Sequence, residues 1–220
     1  MESMSRRKFL GTTAWVAAGT VAVPGLAQAW KTLPGGAGNA GYFESSFGIS
    51  DALCRKVLAE ALAKGGDWAD LFFEHRVGNW LTLEDGKVSR AASDVGLGVG
   101  IRCVEGDQVG YGFTQKLDEA SMLAAARTAA TIANQPTANP KVGFRRLEAG
   151  DAYPLDALFS DVPVASKVQL VQGVNEKCFG RSPLIIKVTA QYHDEQKRIL
   201  VVSSDGAKAE DLQPRSYLAA

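Results

Sequence analysis

Two histidines, His75 and His193, are the chain's whole supply of imidazole, and each sits beside a carboxylate, in Glu74-His75 and in His193-Asp194-Glu195. An imidazole held by a carboxylate can move protons near neutral pH. Residues 68–77 alternate as a strand does, however, and strand neighbours point to opposite faces, so Glu74 cannot orient His75. The second cluster reads as the tip of a hairpin. Neither pair is assigned a catalytic role. Three cysteines, Cys54, Cys103 and Cys178, stand far apart without a C-x-x-C pair, which argues against zinc-ribbon and thioredoxin-like chemistry. They read as small buried hydrophobes. An oxidising compartment would permit one bridge between them, and the sequence singles out no pair.

The remaining chemical signal is glycine. Leu97, Val99, Ile101 and Cys103 alternate with Gly96, Gly98 and Gly100, and after Glu105-Gly106-Asp107 the side chains Val109, Tyr111 and Phe113 alternate with Gly110 and Gly112. One face is expected to be packed with large side chains and the other nearly bare. A glycine stripe weakens a strand, so it implies close approach of something. The expected neighbour is a helix lying flat on the sheet. The alternative is a partner or an extended peptide.

The elements that must position this stripe follow from local signals. Asp85-Gly86, between the runs 80–84 and 87–92, predicts a hairpin with a type I′ turn. Ser50 caps a helix with Leu53, Val57, Leu58, Ala61 and Leu62 on one face, ended by Gly65-Gly66. Asp118 caps a second, alanine-rich helix, with Leu117 stapled onto Met122, that stops near Pro136. Asp161 and Pro163 open a third with a stripe of Val164, Val168, Val171, Val174 and Cys178, ended by Gly180. Between the last two, residues 137–160 read as a surface connection. Strands are expected at 184–192 and 199–203 around a turn at Asp194-Glu195-Gln196, and 216–220 looks like the start of another. The fold class is α+β: an antiparallel sheet of hairpins covered by about three helices.

The N-terminus carries an address. Ser5-Arg6-Arg7-Lys8-Phe9-Leu10, the apolar run 11–23 and Ala27-Gln28-Ala29 form a twin-arginine export signal, with Arg6 and Arg7 as the recognition pair and Ala27 and Ala29 at the cleavage site. The run is shorter than the roughly 20 residues a spanning helix needs. A periplasmic or extracytoplasmic location is therefore expected, with the twin-arginine translocase as a partner in transit. Overall the chain holds 24 basic and 24 acidic side chains, and no basic excess points to nucleic acid.

Taken in order, Asp67-Trp68-Ala69-Asp70, the hairpin 83–88, the run 96–102, Gly110-Tyr111-Gly112-Phe113-Thr114 ahead of Leu117-Asp118, and Val202-Ser203-Ser204-Asp205-Gly206 resemble the N-terminal domain of the TldD/PmbA metallopeptidases. The resemblance implies a domain over 49–206, after a signal (1–29) and a flexible leader (30–48). Residues 207–220 would begin a following segment cut short by the chain's end. It also implies homodimers or heterodimers of TldD/PmbA-type subunits, peptide or unfolded substrates entering as extended strands, and zinc held in complete members by a helical H-E-x-x-x-H. That motif does not occur in these residues, so no metal ligand or catalytic residue is carried over and no cofactor is assigned to the chain itself. The chain is expected to be the N-terminal portion of such a peptidase, inactive alone, or else a binding subunit for a complete family member. A periplasmic scaffold without peptide function is the third reading. The residues singled out are structural or substrate-approach supports: Asp85, Gly86, Gly98, Gly100, Gly110 and Gly112.

Overall fold

The computed structural model describes residues 41–133, 143–147 and 154–220. Arg6, Arg7, Ala27, Ala29 and the predicted helix end at Pro136 lie outside them. Among the described residues are four α-helices, α1 (Tyr42–Phe47), α2 (Asp51–Ala61), α3 (Glu119–Ala129) and α4 (Val164–Phe179). The strands are β1 (Trp68–Glu84), β2 (Lys87–Glu105), β3 (Gln108–Thr114), β4 (Arg145–Arg146), β5 (Thr189–Ser203) and β6 (Ala207–Ala219). They form a single sheet in the order β3-β2-β1-β5-β6-β4. Every pairing is antiparallel except the two-residue contact of β4 with β6. The α+β class is as the sequence implies.

All four helices lie on one face, the covered face, and among the described residues no helix lies on the other, the open face. Over one end, Phe43, Val57, Met122 and Ala126 from α1, α2 and α3 pack onto Leu71, Phe73, Ile101 and Leu200. Over the other end α4 places Val171 against Leu81, Leu83, Ala190 and Tyr192. The caps are those the sequence predicts. Ser50 Oγ accepts from Leu53 N at 3.2 Å and Asp118 Oδ1 from Ser121 N at 2.8 Å, each satisfying a first-turn amide that has no partner within its helix. At the β1–β2 turn Asp85 and Gly86 both have positive φ, +49° and +77°, as type I′ requires.

Several boundaries differ from expectation. Residues 68–77 and 80–84 are one strand, because the Trp80 ring fills the space beside Gly78, 3.1 Å from where a Cβ would stand. The expected hairpin at 194–196 does not exist. Thr189–Ser203 runs straight through it, since each polar side chain finds a partner: Asp194 with Lys167, Glu195 with Arg76, and Gln196 with the Phe159 amide. Within the expected leader, α1 is ordered. Phe43 is buried in the core, and the Glu210 carboxylate accepts from the Gly41 and Phe43 amides at 2.5 and 3.4 Å, a negative charge where a helix N-terminus favours one. On α4 the buried line is Lys167, Val171 and Asn175, while Val164, expected in the stripe, is exposed. Residues 207–219 form β6, paired with β5 from Lys208 to Ala219.

Candidate functional site

Alternation on β1, β2 and β3 puts Trp68, Asp70, Phe72, Arg102, Tyr111 and Phe113 together on the open face. Arg102 grips Asp70 through two parallel bonds, Nε to Oδ1 at 3.0 Å and Nη2 to Oδ2 at 2.8 Å, and its guanidinium lies 5.1 Å from the centre of the Trp68 ring. Such a bidentate, stacked arginine is fixed in direction. Beside it Tyr111 and Phe113 are 61% and 56% exposed on β3, the strand at one edge of the sheet. Edge backbone next to exposed aromatic side chains is what an extended peptide needs in order to add as a strand.

The glycines split between the two faces, which corrects the single bare stripe. Gly110 and Gly112 face the helices, and a Cβ on either would come within 2.0 Å of a backbone oxygen, Ala129 O or Ala125 O. There the predicted helix does lie flat on the strand. Gly98 and Gly100 face the open side and are roofed by the Phe113 and Tyr111 rings. The reason is register: Ile101 pairs with Gly112 and Cys103 with Gly110, so the large residues of β2 and of β3 stand on opposite faces.

The two histidines also end on opposite faces. His75 is on the covered side, where its Nδ1 meets the Tyr42 hydroxyl at 2.6 Å. Burial, with the Arg198 guanidinium second, holds it below the ordinary imidazole range. Its contribution to stability is therefore complete above the unfolded value of about 6.5 and is lost as pH falls through the lower folded value. Urea midpoints should drop between pH 7 and pH 5 by more in the native chain than in His75→Gln; equal drops would show that His75 carries none of the dependence. His193 stacks on Trp80 on the open side, ring centres 4.7 Å apart.

A groove of about 220 Å³ runs between α4 and the β1–β2 hairpin, lined by Asn79, Trp80, Ala91, Ser93, Val164 and Lys167 among others. At its base is a buried polar network that the sequence did not announce. Lys167 Nζ reaches Asp194 Oδ2 at 2.6 Å and donates to Phe159 O at 2.9 Å. The Tyr192 hydroxyl donates to Asp194 Oδ2 and Asn79 Nδ2 to Oδ1. Burial, then the Asp194 bond, pushes the Tyr192 hydroxyl up. The one sequence hint was a lysine four residues before Val171 on a buried helix face.

Zinc, implied for complete members, does not fit the donors present. His75 and His193 cannot share an ion across the sheet, and no group of three His, Cys, Asp or Glu with metal-ligand geometry occurs among the described residues. Cys54 and Cys103 are unbridged and buried; burial pushes the Cys54 thiol up to about 12 and raises Cys103, which disfavours the thiolate a metal needs. Cys178 is unbridged as well.

Comparison with known proteins bears on the whole of this surface. The description PmbA/TldA metallopeptidase domain 1 matches residues 69–133, and PmbA/TldA metallopeptidase central domain matches residues 157–220. A metalloprotease TldD homolog of Haemophilus influenzae is 25% identical over 159 residues, spanning 67% of this chain and 31% of that protein. Among solved structures, a proposed modulator of DNA gyrase from Bacteroides thetaiotaomicron superposes with a TM-score of 0.57 at 16% identity, over 77% of this chain and 40% of that one. TldE from Thermococcus kodakarensis gives 0.52 at 16%, over 76% and 37%. At that identity the structures show the shared fold alone. The chain spans about a third of the length of the curated relatives it matches. Matched by two successive domains of one family over more than half of its residues, the chain belongs to the PmbA/TldD family.

Proposed function

We propose that the chain is a non-catalytic N-terminal and central portion of an exported TldD/PmbA-type metallopeptidase assembly, supplying substrate and subunit contacts while hydrolysis is performed elsewhere in the assembly. The observation that carries the reading is the β3 edge, with Tyr111 and Phe113 exposed on the open face beside the fixed Arg102. Helix α3 backs β3 at van der Waals distance through Gly110 and Gly112, so the edge is rigid and an incoming strand has little ordering to impose on it. Export through Arg6 and Arg7 would place this contact outside the cytoplasm, and a TldD/PmbA-type subunit is the partner the family suggests.

The test is metal content and peptide cleavage by the purified mature chain, alone and then mixed with a complete family subunit. Silence alone and altered cleavage in the mixture are expected, and Tyr111→Ala with Phe113→Ala should remove the alteration while leaving the chain folded. Zinc-dependent cleavage by the chain alone would overturn the proposal.

A further inference from the structure

Among the described residues, the two most exposed large apolar side chains stand together on the turn between α4 and β5. Leu184 is 86% and Ile186 89% exposed, and Pro183 beside them is exposed too. The turn is tied at both ends. Leu184 N donates to Ser182 Oγ at 3.2 Å and Ile185 N to Ser182 O at 3.1 Å, while Val188 is buried and its carbonyl accepts from Asp85 N at 3.2 Å. Exposed apolar side chains usually occur singly, and a contiguous group of them marks a contact.

Charge tells what they meet. Arg181 and Lys187 stand three residues to either side of Leu184, and from Lys177 to His193 the chain holds these three cations and no carboxylate. Lys177, Arg181 and Lys187 are exposed, and none has an ion-pair partner among the described residues. The nearby carboxylates, Glu176 on α4 and Glu84 and Asp85 at the β1–β2 turn, are outnumbered once Lys87 and Arg90 of β2 are added. Side chains that project so fully line no groove for a protein partner to fill. A bilayer needs no matching shape: it takes apolar tips below the headgroups, while long basic side chains reach the phosphates.

We propose that this turn is a peripheral membrane contact, with Leu184 and Ile186 entering the headgroup–acyl boundary of an anionic leaflet and Arg181, Lys187 and Lys177 set against its phosphates. Two side chains and a few cations give weak, reversible attachment. The turn lies at the Glu84 end of the sheet and β3 at the Trp68 end. Attachment therefore leaves the β3 edge accessible, and it needs nothing from the peptidase reading, so failure of the cleavage test would leave it standing, and the reverse.

Co-sedimentation of the purified full chain with vesicles of phosphatidylcholine, alone or mixed with phosphatidylglycerol, tests this. Binding should need the anionic lipid and weaken with salt. Leu184→Asp with Ile186→Asp should lower the partition coefficient about tenfold or more, and Arg181→Ser with Lys187→Ser about tenfold. Both variants should keep the urea midpoint of the parent chain, since every changed side chain is exposed. A polarity-sensitive fluorophore on Ile186→Cys should shift to the blue when anionic vesicles are added, and one on Val109→Cys, at the β3 edge, should not. That readout belongs to the turn whatever the N-terminal apolar run contributes. A chain that ignores anionic vesicles overturns the proposal, as does binding that is equal on phosphatidylcholine alone or indifferent to both paired variants. So does a turn whose Asp pair leaves vesicles unaffected and instead abolishes contact with a complete family subunit, which would make it a protein interface.

Discussion

Gly112→Ala is expected to lower stability by about 3 kcal/mol, and Gly100→Ala by about 1 kcal/mol or less, although the two glycines look alike in sequence. At 112 the new methyl would stand 2.0 Å from the Ala125 carbonyl oxygen, which belongs to the backbone of α3 and moves only if the helix lifts from the sheet. At 100 the nearest atom, 2.5 Å away, is the hydroxyl of Tyr111, the far end of an exposed side chain that can swing aside. Denaturant midpoints for the two variants would check this, and equal losses would mean that α3 is not seated as described. Gly100→Ala should instead show itself in any contact made through the Tyr111 ring.

The second large effect is expected inside the polar network. Lys167→Ala or Asp194→Ala alone should destabilise the chain by about 3–5 kcal/mol, because each leaves the other charge buried without its partner. The side chains are 5% and 0% exposed, so each charge depends on its protein partners. Changing both, Lys167→Met with Asp194→Leu, should recover most of the loss, since an apolar pair no longer has to be stripped of water. Chemical unfolding of the parent chain, the Lys167→Met and Asp194→Leu singles and their double closes a double-mutant cycle and measures the coupling. A double variant no better than the singles would show that the remaining polar groups, Asn79, Tyr192 and the Phe159 carbonyl, depend on the charges as well.

Much of this architecture is legible in the amino-acid order. The Asp85-Gly86 turn, the Ser50 and Asp118 caps and the alanine-rich helix over the glycines are local signals, and local signals survive folding when nothing distant contradicts them. What stayed hidden depends on partners far along the chain. His193-Asp194-Glu195-Gln196 has the composition of a turn, yet it lies mid-strand because Lys167, Arg76 and the Phe159 amide are brought to it by tertiary structure. The aromatic surface was missed for a similar reason. Alternation tells which residues of one strand share a face, but the pairing of Ile101 with Gly112 decides that the large side chains of β3 point away from those of β2. The sequence alone therefore puts Tyr111 and Phe113 on one face with Val99 and Ile101. Phe43 reads as leader in the sequence because the partners that hold α1, Glu210 and the core residues around Phe73, are distant along the chain.

Strand β1 from Ala69 onward falls within the match to domain 1 and β5 within the match to the central domain, yet the two strands are hydrogen-bonded neighbours from Asp70 opposite Ser203 to Glu84 opposite Thr189. A division that is real for the family is thus not a seam in the folded material. Neither half can melt without stripping the other of its neighbour along this line, so the described residues are expected to unfold in one transition, seen as coincident curves by different probes. A substitution deep under α4 is therefore expected to lower the stability of the β3 edge as well, although the two share no contact in the cluster of Leu81, Leu83, Val171, Ala190 and Tyr192.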